Sequence, residues 1–286
     1  MPDVAHALPW QLEVARRSLK KREKIDLIEQ QVDVGPDDRC LDLGCAQGIL
    51  SWFLKKKGGR WIHTDLDFEN LLTSRDLLDR GFVQMGVPDL PFKSRSFDRV
   101  FCLDFLEHVD DDLKTAGEIA RVLVPGGKLL LVVPRTGPFI LMQKIRPAVG
   151  LKLEFYGHKR EGYALPALRM LLGRAGLRIT RHAFYSRFFT EFVELVLNAL
   201  YVNFFSAKPE ARLRDGHIRP ATPGEFAAQA KPFRIYKLVY PLLRLAAKLD
   251  TLLFFTRGYA LMVWAEKTAT PEEDPHGRNQ GLPGDA

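Results

Sequence analysis

The sequence predicts an α/β fold: a doubly wound, mostly parallel seven-stranded sheet with helices on both faces and a helical insertion before the last strand. Three observations predict it. Short apolar runs alternate with helical patterns between Arg39 and Val133, the first run ends in a glycine-rich turn, and an acid closes the second. Strands separated by helical stretches pair in parallel through right-handed crossovers.

The elements follow in order. In residues 10–32 the apolar Leu12, Val14, Ala15, Leu19, Ile25, Leu27 and Ile28 recur at helical spacing, which predicts one amphipathic helix with a basic run from Arg16 to Lys24. Residues 39–43 read as the first strand and 49–57 as the helix after it. The second strand, 60–64, ends at Asp65. Strands at 82–85, 98–103 and 128–133, with helices at 68–79 and 111–123, continue the alternation, and Pro125-Gly126-Gly127 signals a turn between helix and strand. A helix at 166–175, a strand at 177–184 and a last strand at 258–266 complete the sheet. Between those two strands lie amphipathic stretches at 188–205 and 233–255, joined by a polar, proline-containing link at 208–232. The chain thus divides into an N-terminal helix (1–35), a sheet domain (36–186 plus 258–267), a helical cap (187–257) and a Pro-, Gly- and acid-rich tail (268–286) expected to be disordered.

Composition bounds the function. The 286 residues are 46% apolar and 27% charged, enough for a packed core and incompatible with general disorder. A formal charge of +7 favours an anionic partner or surface, although an excess of solvated lysines accounts for it equally well. Cys40, Cys45 and Cys102 form no C-x-x-C pair, and their odd number argues against a disulfide framework and for a cytoplasmic environment. No basic-then-apolar leader and no uncharged run of about 18 residues is present, so no obligate membrane span is expected.

The strongest chemical signal is the turn Asp42-Leu43-Gly44-Cys45-Ala46-Gln47-Gly48 at the carboxyl end of the first strand. Open α/β sheets bind ligands at that edge. Gly44 and Gly48 allow close backbone approach, and Asp42 can fix the turn or accept hydrogen bonds from a cationic ligand. Asp65, at the second strand end, can accept both hydroxyls of a ribose, or serve only as a helix cap. The spacing Gly44-x-Ala46-x-Gly48 is not a dinucleotide fingerprint, which disfavours NAD and FAD.

With Leu90-Pro91-Phe92, Phe97-Asp98, Leu106-Glu107-His108-Val109 and Arg121-Val122-Leu123-x-Pro125-Gly126-Gly127 in the same order, the chain resembles the class I S-adenosylmethionine-dependent methyltransferases. In particular it is similar to the type 11 group that includes the ubiquinone and menaquinone methyltransferases. The resemblance covers residues 38–134 and implies a Rossmann-like fold and S-adenosyl-L-methionine as cofactor. It implies that Asp42, Gly44, Cys45, Ala46 and Gly48 line the methionine side, that Asp65 holds the ribose, and that Leu66 packs on the adenine. Leu103 and Asp104 would border the methionine. Ala46 replaces a frequent glycine, and Gly86 stands where many relatives carry an acid, with Asp89 as its substitute.

Methyl transfer needs positioning, exclusion of water and, where necessary, removal of a proton. The candidate bases are His158 and His108, with packing roles as their alternative. No ligand spacing for a metal stands out, so a metal-independent reaction is expected.

In the insertion, Lys237, Arg244 and Lys248 fall on one helical face opposite Leu238, Leu242, Leu245 and Leu249, a pattern suited to an anionic membrane surface. The 188–205 stretch reads as a lid with a greasy inner wall; an ordinary packed cap explains both helices as well. These features favour an apolar or amphipathic acceptor, such as a quinone precursor, lipid or lipid-linked glycan, methylated on oxygen by a peripheral enzyme at the inner face of the membrane. RNA or protein methylation, and a non-catalytic methyltransferase-like assembly protein, are the alternatives; no DNA-binding module is present.

Overall fold

The computed structural model describes residues 9–137, 141–149, 157–200, 213–214, 217–218, 224 and 230–268. One sheet contains β1 (Arg39–Leu43), β2 (Arg60–Asp65), β3 (Phe82–Gln84), β4 (Phe97–Leu103), β5 (Leu123–Pro134) and β6 (Leu177–Tyr185). A separate short ladder pairs β7 (Leu213–Arg214) with β8 (His217–Ile218), and β9 (Ala260–Lys267) completes the main sheet. The seven strands lie in the order β3-β2-β1-β4-β5-β9-β6. The first five are parallel, with Leu41 opposite Val100 and Val100 opposite Leu129. β9 returns from the insertion and runs antiparallel between β5 and β6.

The helices are α1 (Trp10–Ala15), α2 (Leu19–Gln31), α3 (Ile49–Lys55), α4 (Phe68–Ser74), α5 (Asp112–Val122), α6 (Leu141–Ile145), α7 (Leu165–Arg174), α8 (Phe188–Leu200) and α9 (Ala230–Lys248). They cover the sheet because its central strands are apolar on both sides, as buried parallel strands are. Leu41, Leu43, Val100, Leu129 and Leu131 pack with Ala116 and Ile119 of α5 and with Leu168 and Leu172 of α7. Cys40, Phe101, Leu130, Val132 and Met262 pack on the opposite face with Ile28 of α2 and Leu54 of α3. Each fully buried leucine contributes roughly 1.5–3 kcal/mol relative to exposure.

The structure departs from the sequence expectations in identifiable places. The single helix expected over residues 10–32 is two, because Ser18 takes extended backbone angles and its hydroxyl accepts from the Lys21 N–H as the N-cap of α2. Pro125-Gly126-Gly127 is not a turn between elements: it lies inside β5. Phe97 pairs with Leu123 and Arg99 with Lys128, so the ladder absorbs the segment as an irregularity with Gly126 at φ +72°. The helix expected over 68–79 stops at Ser74.

In the insertion, α8 starts where the buried Asp250 carboxylate accepts from the Phe189 and Thr190 N–H groups at 2.8 and 2.9 Å. The same helix packs on α2, where Glu194 accepts from the Ser18 hydroxyl at 2.9 Å. Lys237, expected on an outward basic face, instead meets Glu13 of α1 at 2.5 Å. Tyr240 of α9 donates to the Arg16 carbonyl at 3.0 Å. This docking leaves Leu238 80% and Leu242 69% exposed. The expected disordered tail beyond residue 268 and most of the link at 208–232 lie outside the described residues. Among the described residues no helix is long and apolar enough to cross a membrane.

Candidate functional site

The first half of the site is built where β1, β2 and β4 end side by side. After Leu43 the chain turns through Gly44 at φ +72°, Ala46 at φ +47° and Gly48 at φ +75°. Glycine is required at position 44 for a second reason, since a Cβ there would meet the Phe105 ring at 2.3 Å. The buried Cys45 fixes the turn by donating its N–H to the Thr64 carbonyl at 2.8 Å, and Ala46 donates to Asp65 Oδ2 at 2.9 Å. The other Asp65 oxygen accepts from the Asp67 N–H and from Asn70 Nδ2. Burial pushes the Asp65 carboxyl above its usual range, against the pull of these hydrogen bonds.

Leu66 follows, exposed, and Gly86 lies beside it: a Cβ on Gly86 would stand 3.3 Å from Leu66 Cδ1. The absent side chain keeps that flank of Leu66 open. The donor set therefore fits S-adenosylmethionine, with a carboxylate for vicinal hydroxyls, an uncovered apolar side chain for a base, and a turn whose backbone can be approached closely. At the end of β4, Leu103 is buried and Asp104 is exposed at φ +52°. Lys24 of α2, 4% exposed, ion-pairs with the Asp104 carboxylate. Desolvation works to raise Asp104, and the Lys24 ammonium overrides it and holds the carboxyl below its usual range.

Two expected cofactor residues engage protein partners. Asp42 is buried, and its Oδ2 takes the Ser51 hydroxyl at 2.5 Å and faces His63 Nδ1 at 3.0 Å. It fastens β1 to α3 and β2 from beneath the turn. Asp89 is exposed, and Lys114 of α5 engages its carboxylate at 2.9 Å.

The second half is a cavity of about 490 Å³ beside Asp104, with Lys20, Lys24, Glu107, His158, Glu191 and Tyr259 in its walls. The 3-10 turn Leu106–His108 after β4 carries Glu107 and His108. His158 is brought to them by a loop tied to this turn: Lys159 N–H donates to the Glu107 carbonyl at 2.9 Å, and His108 Nδ1 donates to the Gly157 carbonyl at 3.0 Å. The two imidazoles meet edge to face at 4.8 Å. Burial pushes the Glu107 carboxyl up to about 8, with the Asp104 charge adding to the effect. Burial, then the neighbouring His108, pushes His158 down to about 4, so it is neutral near pH 7.

The greasy inner wall expected of the 188–205 stretch is reversed. α8 turns Glu191, Glu194 and Asn198 toward the cavity and leaves Phe192, Val196 and Leu200 exposed. Glu191 is itself buried, taking Lys20 Nζ at 3.2 Å, the Ser186 hydroxyl at 2.7 Å and the Arg146 guanidinium. Burial would raise its carboxyl, and Lys20 and Arg146 hold it low.

The structure thus brings His108 and His158 together, as both were singled out, and adds Glu107, Lys24 and Glu191. Lys24 stands one helical turn before the buried Ile28, so a charge on an apolar stripe was its only signal. Glu191 pairs with residues remote in sequence, and no local pattern exposes that.

Residues 41–131 match the model of a family described as "Methyltransferase domain". The ubiquinone biosynthesis O-methyltransferase of Xanthomonas oryzae pv. oryzae is 34% identical over 114 residues, which are 38% of this chain and 47% of that protein. The chain spans about half the length of the curated relatives it matches first. Among solved structures, a Bacillus halodurans protein superposes with a TM-score of 0.54 at 16% identity, over 86% of this chain and 98% of that one. A structure described as a complex of the Haloferax volcanii Trm112 methyltransferase activator with a methyltransferase gives 0.53 at 17%, over 91% and 93%. At such identities the structures share the fold.

Proposed function

We propose that this chain, which has a class I methyltransferase domain with S-adenosylmethionine as its cofactor, transfers a methyl group to a small amphipathic acceptor bound in the cavity beside Asp104. The observation that carries the reading is the continuity of two half-sites at one residue: Asp104 ends the strand next to the glycine turn and also lines the charged cavity.

When bound, the cofactor would supply a sulfonium methyl group as the electrophile. Asp65 would accept the ribose hydroxyls, Leu66 would pack on the adenine in the space left by Gly86, and Gly44, Cys45, Ala46 and Gly48 would carry the backbone against the methionine part. Leu103 and Asp104 border that part, and Lys24 holds Asp104 in place. Glu107, His108 and His158 orient the acceptor atom, which we take to be oxygen, and the neutral His158 receives its proton. The cavity wall excludes bulk water and holds the acceptor for in-line attack.

A charged cavity suits the polar head of an acceptor, and the exposed Phe192, Val196 and Leu200 of α8 suit its apolar part. Leu238, Leu242 and Leu245 of α9 are exposed beside the likewise exposed Arg234, Arg244 and Lys248, which fits attachment to an anionic lipid surface on the cytoplasmic side. Acceptors of this class include quinone precursors, lipids and lipid-linked glycans.

Isothermal titration with S-adenosylhomocysteine tests the cofactor site. Wild type is expected to bind one equivalent and Asp65→Ala at least tenfold more weakly with its fold intact, because it loses a charge-assisted hydrogen bond worth about 1.5–3 kcal/mol. A folded wild type that binds no cofactor refutes the reading. Vesicles rich in phosphatidylserine should carry the wild type upward in flotation, and Leu238→Asp with Leu242→Asp should abolish this; equal flotation of both proteins removes the membrane part.

A further inference from the structure

We infer that a second cavity, at the amino edge of the sheet, is a binding site for a small apolar carboxylate, separate from the cofactor turn and the acceptor cavity. It measures about 380 Å³ and lies between the end of α2 and strands β4, β5, β6 and β9, with Phe101, Lys128, Leu130, Arg181 and Trp264 in its walls. Small-molecule sites begin at roughly 300 Å³. The glycine turn and the Asp104 cavity stand at the carboxyl edge of the same sheet, and the two cavities share no wall residue.

The strand register explains the floor. Phe101 pairs with Leu130, Leu130 with Trp264, and Trp264 with Arg181, which sets these side chains in a row on one face. Phe101 and Leu130 are buried, and Trp264 is half-buried. One rung nearer the edge, Arg99 stands beside Lys128, and Lys128 beside Glu266. α2 ends at Gln31, and the chain leaves it through Val32 with extended angles, so residues 31–33 form the facing wall.

Two observations select an anion with an apolar body. Arg99 and Lys128 are like charges side by side on neighbouring strands, an arrangement that costs stability unless it is countered. Asp38 ion-pairs with Arg99, whereas Lys128 is exposed and has no ion pair among the described residues. Glu266 does not serve it, because its Oε1 lies toward Gly126, 3.7 Å from where a Cβ on that glycine would stand. The remaining wall acid, Asp33, is exposed on the segment after α2.

The second observation concerns Trp264. The Arg181 guanidinium lies over the indole, 3.8 Å from a ring centroid, and donates to the Gln31 carbonyl at 3.2 Å. The π-face that would attract a cationic ligand is thereby taken. Arg181 also adds positive charge at the aromatic floor and has no carboxylate partner among the described residues. Phe101, Leu130 and Trp264 thus suit a flat apolar body, and Lys128 and Arg181 suit its carboxylate, one as a mobile point charge and the other as a fork of donors. The formal charge of +7 that favours an anionic partner acquires a location here. The site does not rest on the methyltransferase reading.

The test titrates the full chain, labelled with nitrogen-15, with 2-naphthoate and follows the indole N–H signals, that of Trp264 being assigned by Trp264→Phe. Wild type is expected to show a saturable shift of the Trp264 signal, with those of Trp10 and Trp52 unmoved, and a dissociation constant of about 1 mM or tighter, as ordinary ligand efficiency gives a two-ring acid. Lys128→Glu should bind at least ~10-fold more weakly, because a charge-assisted contact is replaced by a repulsive one. Lys93→Glu, the same charge change on an exposed residue outside the cavity, should bind as wild type does. The neutral 2-naphthalenemethanol should bind at least ~10-fold more weakly than the acid. Saturating S-adenosylhomocysteine should leave the titration unchanged. Absence of a saturable Trp264 shift, equal binding of the alcohol, equal binding by folded Lys128→Glu, or displacement by S-adenosylhomocysteine overturns the inference. The wild-type comparison of acid with alcohol decides the matter even where a variant fails to fold.

Discussion

Replacing Asp42 by alanine separates a ligand-binding role from a structural one. The Asp42 carboxylate is 3% exposed and serves Ser51, at 2.5 Å and 2% exposed, and His63, at 3.0 Å and 0% exposed. Hydrogen bonds to a charged group are worth about 1.5–3 kcal/mol each, and the abandoned partners stay buried. Asp42→Ala should therefore lower the unfolding free energy by about 3–5 kcal/mol, toward the lower end if the Ser51 hydroxyl rotates to a backbone carbonyl. Asp42→Asn keeps one acceptor oxygen and should lose about half as much. Urea unfolding followed by circular dichroism measures this, with an unchanged m-value marking a native-state effect. S-Adenosylhomocysteine affinity of the folded fraction should stay within about threefold of wild type, a change of less than 1 kcal/mol. A stability loss below about 1 kcal/mol together with lost cofactor binding would refute the reasoning and return Asp42 to the ligand side.

Gly44→Ala should cost about 2–4 kcal/mol and weaken cofactor binding, since the left-handed backbone costs a β-carbon roughly 1–2 kcal/mol and the Phe105 ring must move as well; thermal unfolding and calorimetry measure both. Glu118 gives a pH-dependent contribution. Its hydrogen bond with Arg121, and a further one from the Leu90 N–H at 2.9 Å, hold the carboxyl below its usual range. A depressed carboxyl stabilises the fold fully above the unfolded value of about 4.3, and the contribution is lost as pH falls through the lower folded value. Wild type should accordingly exceed Glu118→Gln by about 1 kcal/mol at pH 6, with the gap closing by pH 3 in urea unfolding; a constant gap would assign the effect to packing.

Much of the fold was legible in the sequence because its signals are local. The run Leu129–Val133 is continuously apolar, Cys40–Leu43 is apolar but for the buried Asp42, and Gly44 and Gly48 mark a turn whose backbone takes positive φ. The place of Asp65 at the end of β2 was readable for the same reason, since the alternation puts a strand end there, whereas Leu66 was singled out only by the family resemblance. The order of the last strands was not legible. Only packing decides that β9 enters between β5 and β6, because its apolar pattern suits any buried position.

Tertiary structure alone also decided which charges matter. Asp42 was read from the turn motif and Asp89 only as a substitute for an acid at Gly86, and only the tertiary structure shows that Asp42 is buried on Ser51 and His63 while Asp89 is exposed beside Lys114. Glu107, His108 and His158 meet only because the 157–163 loop folds back onto the turn after β4. The stretch that forms α8 read as apolar around most of its circumference, a lid with a greasy inner wall, and the docking of its few polar residues on α2 set which side lines the cavity. Periodicity fixes what lies on one side of a helix, and the direction in which that side points is fixed by partners remote in the chain.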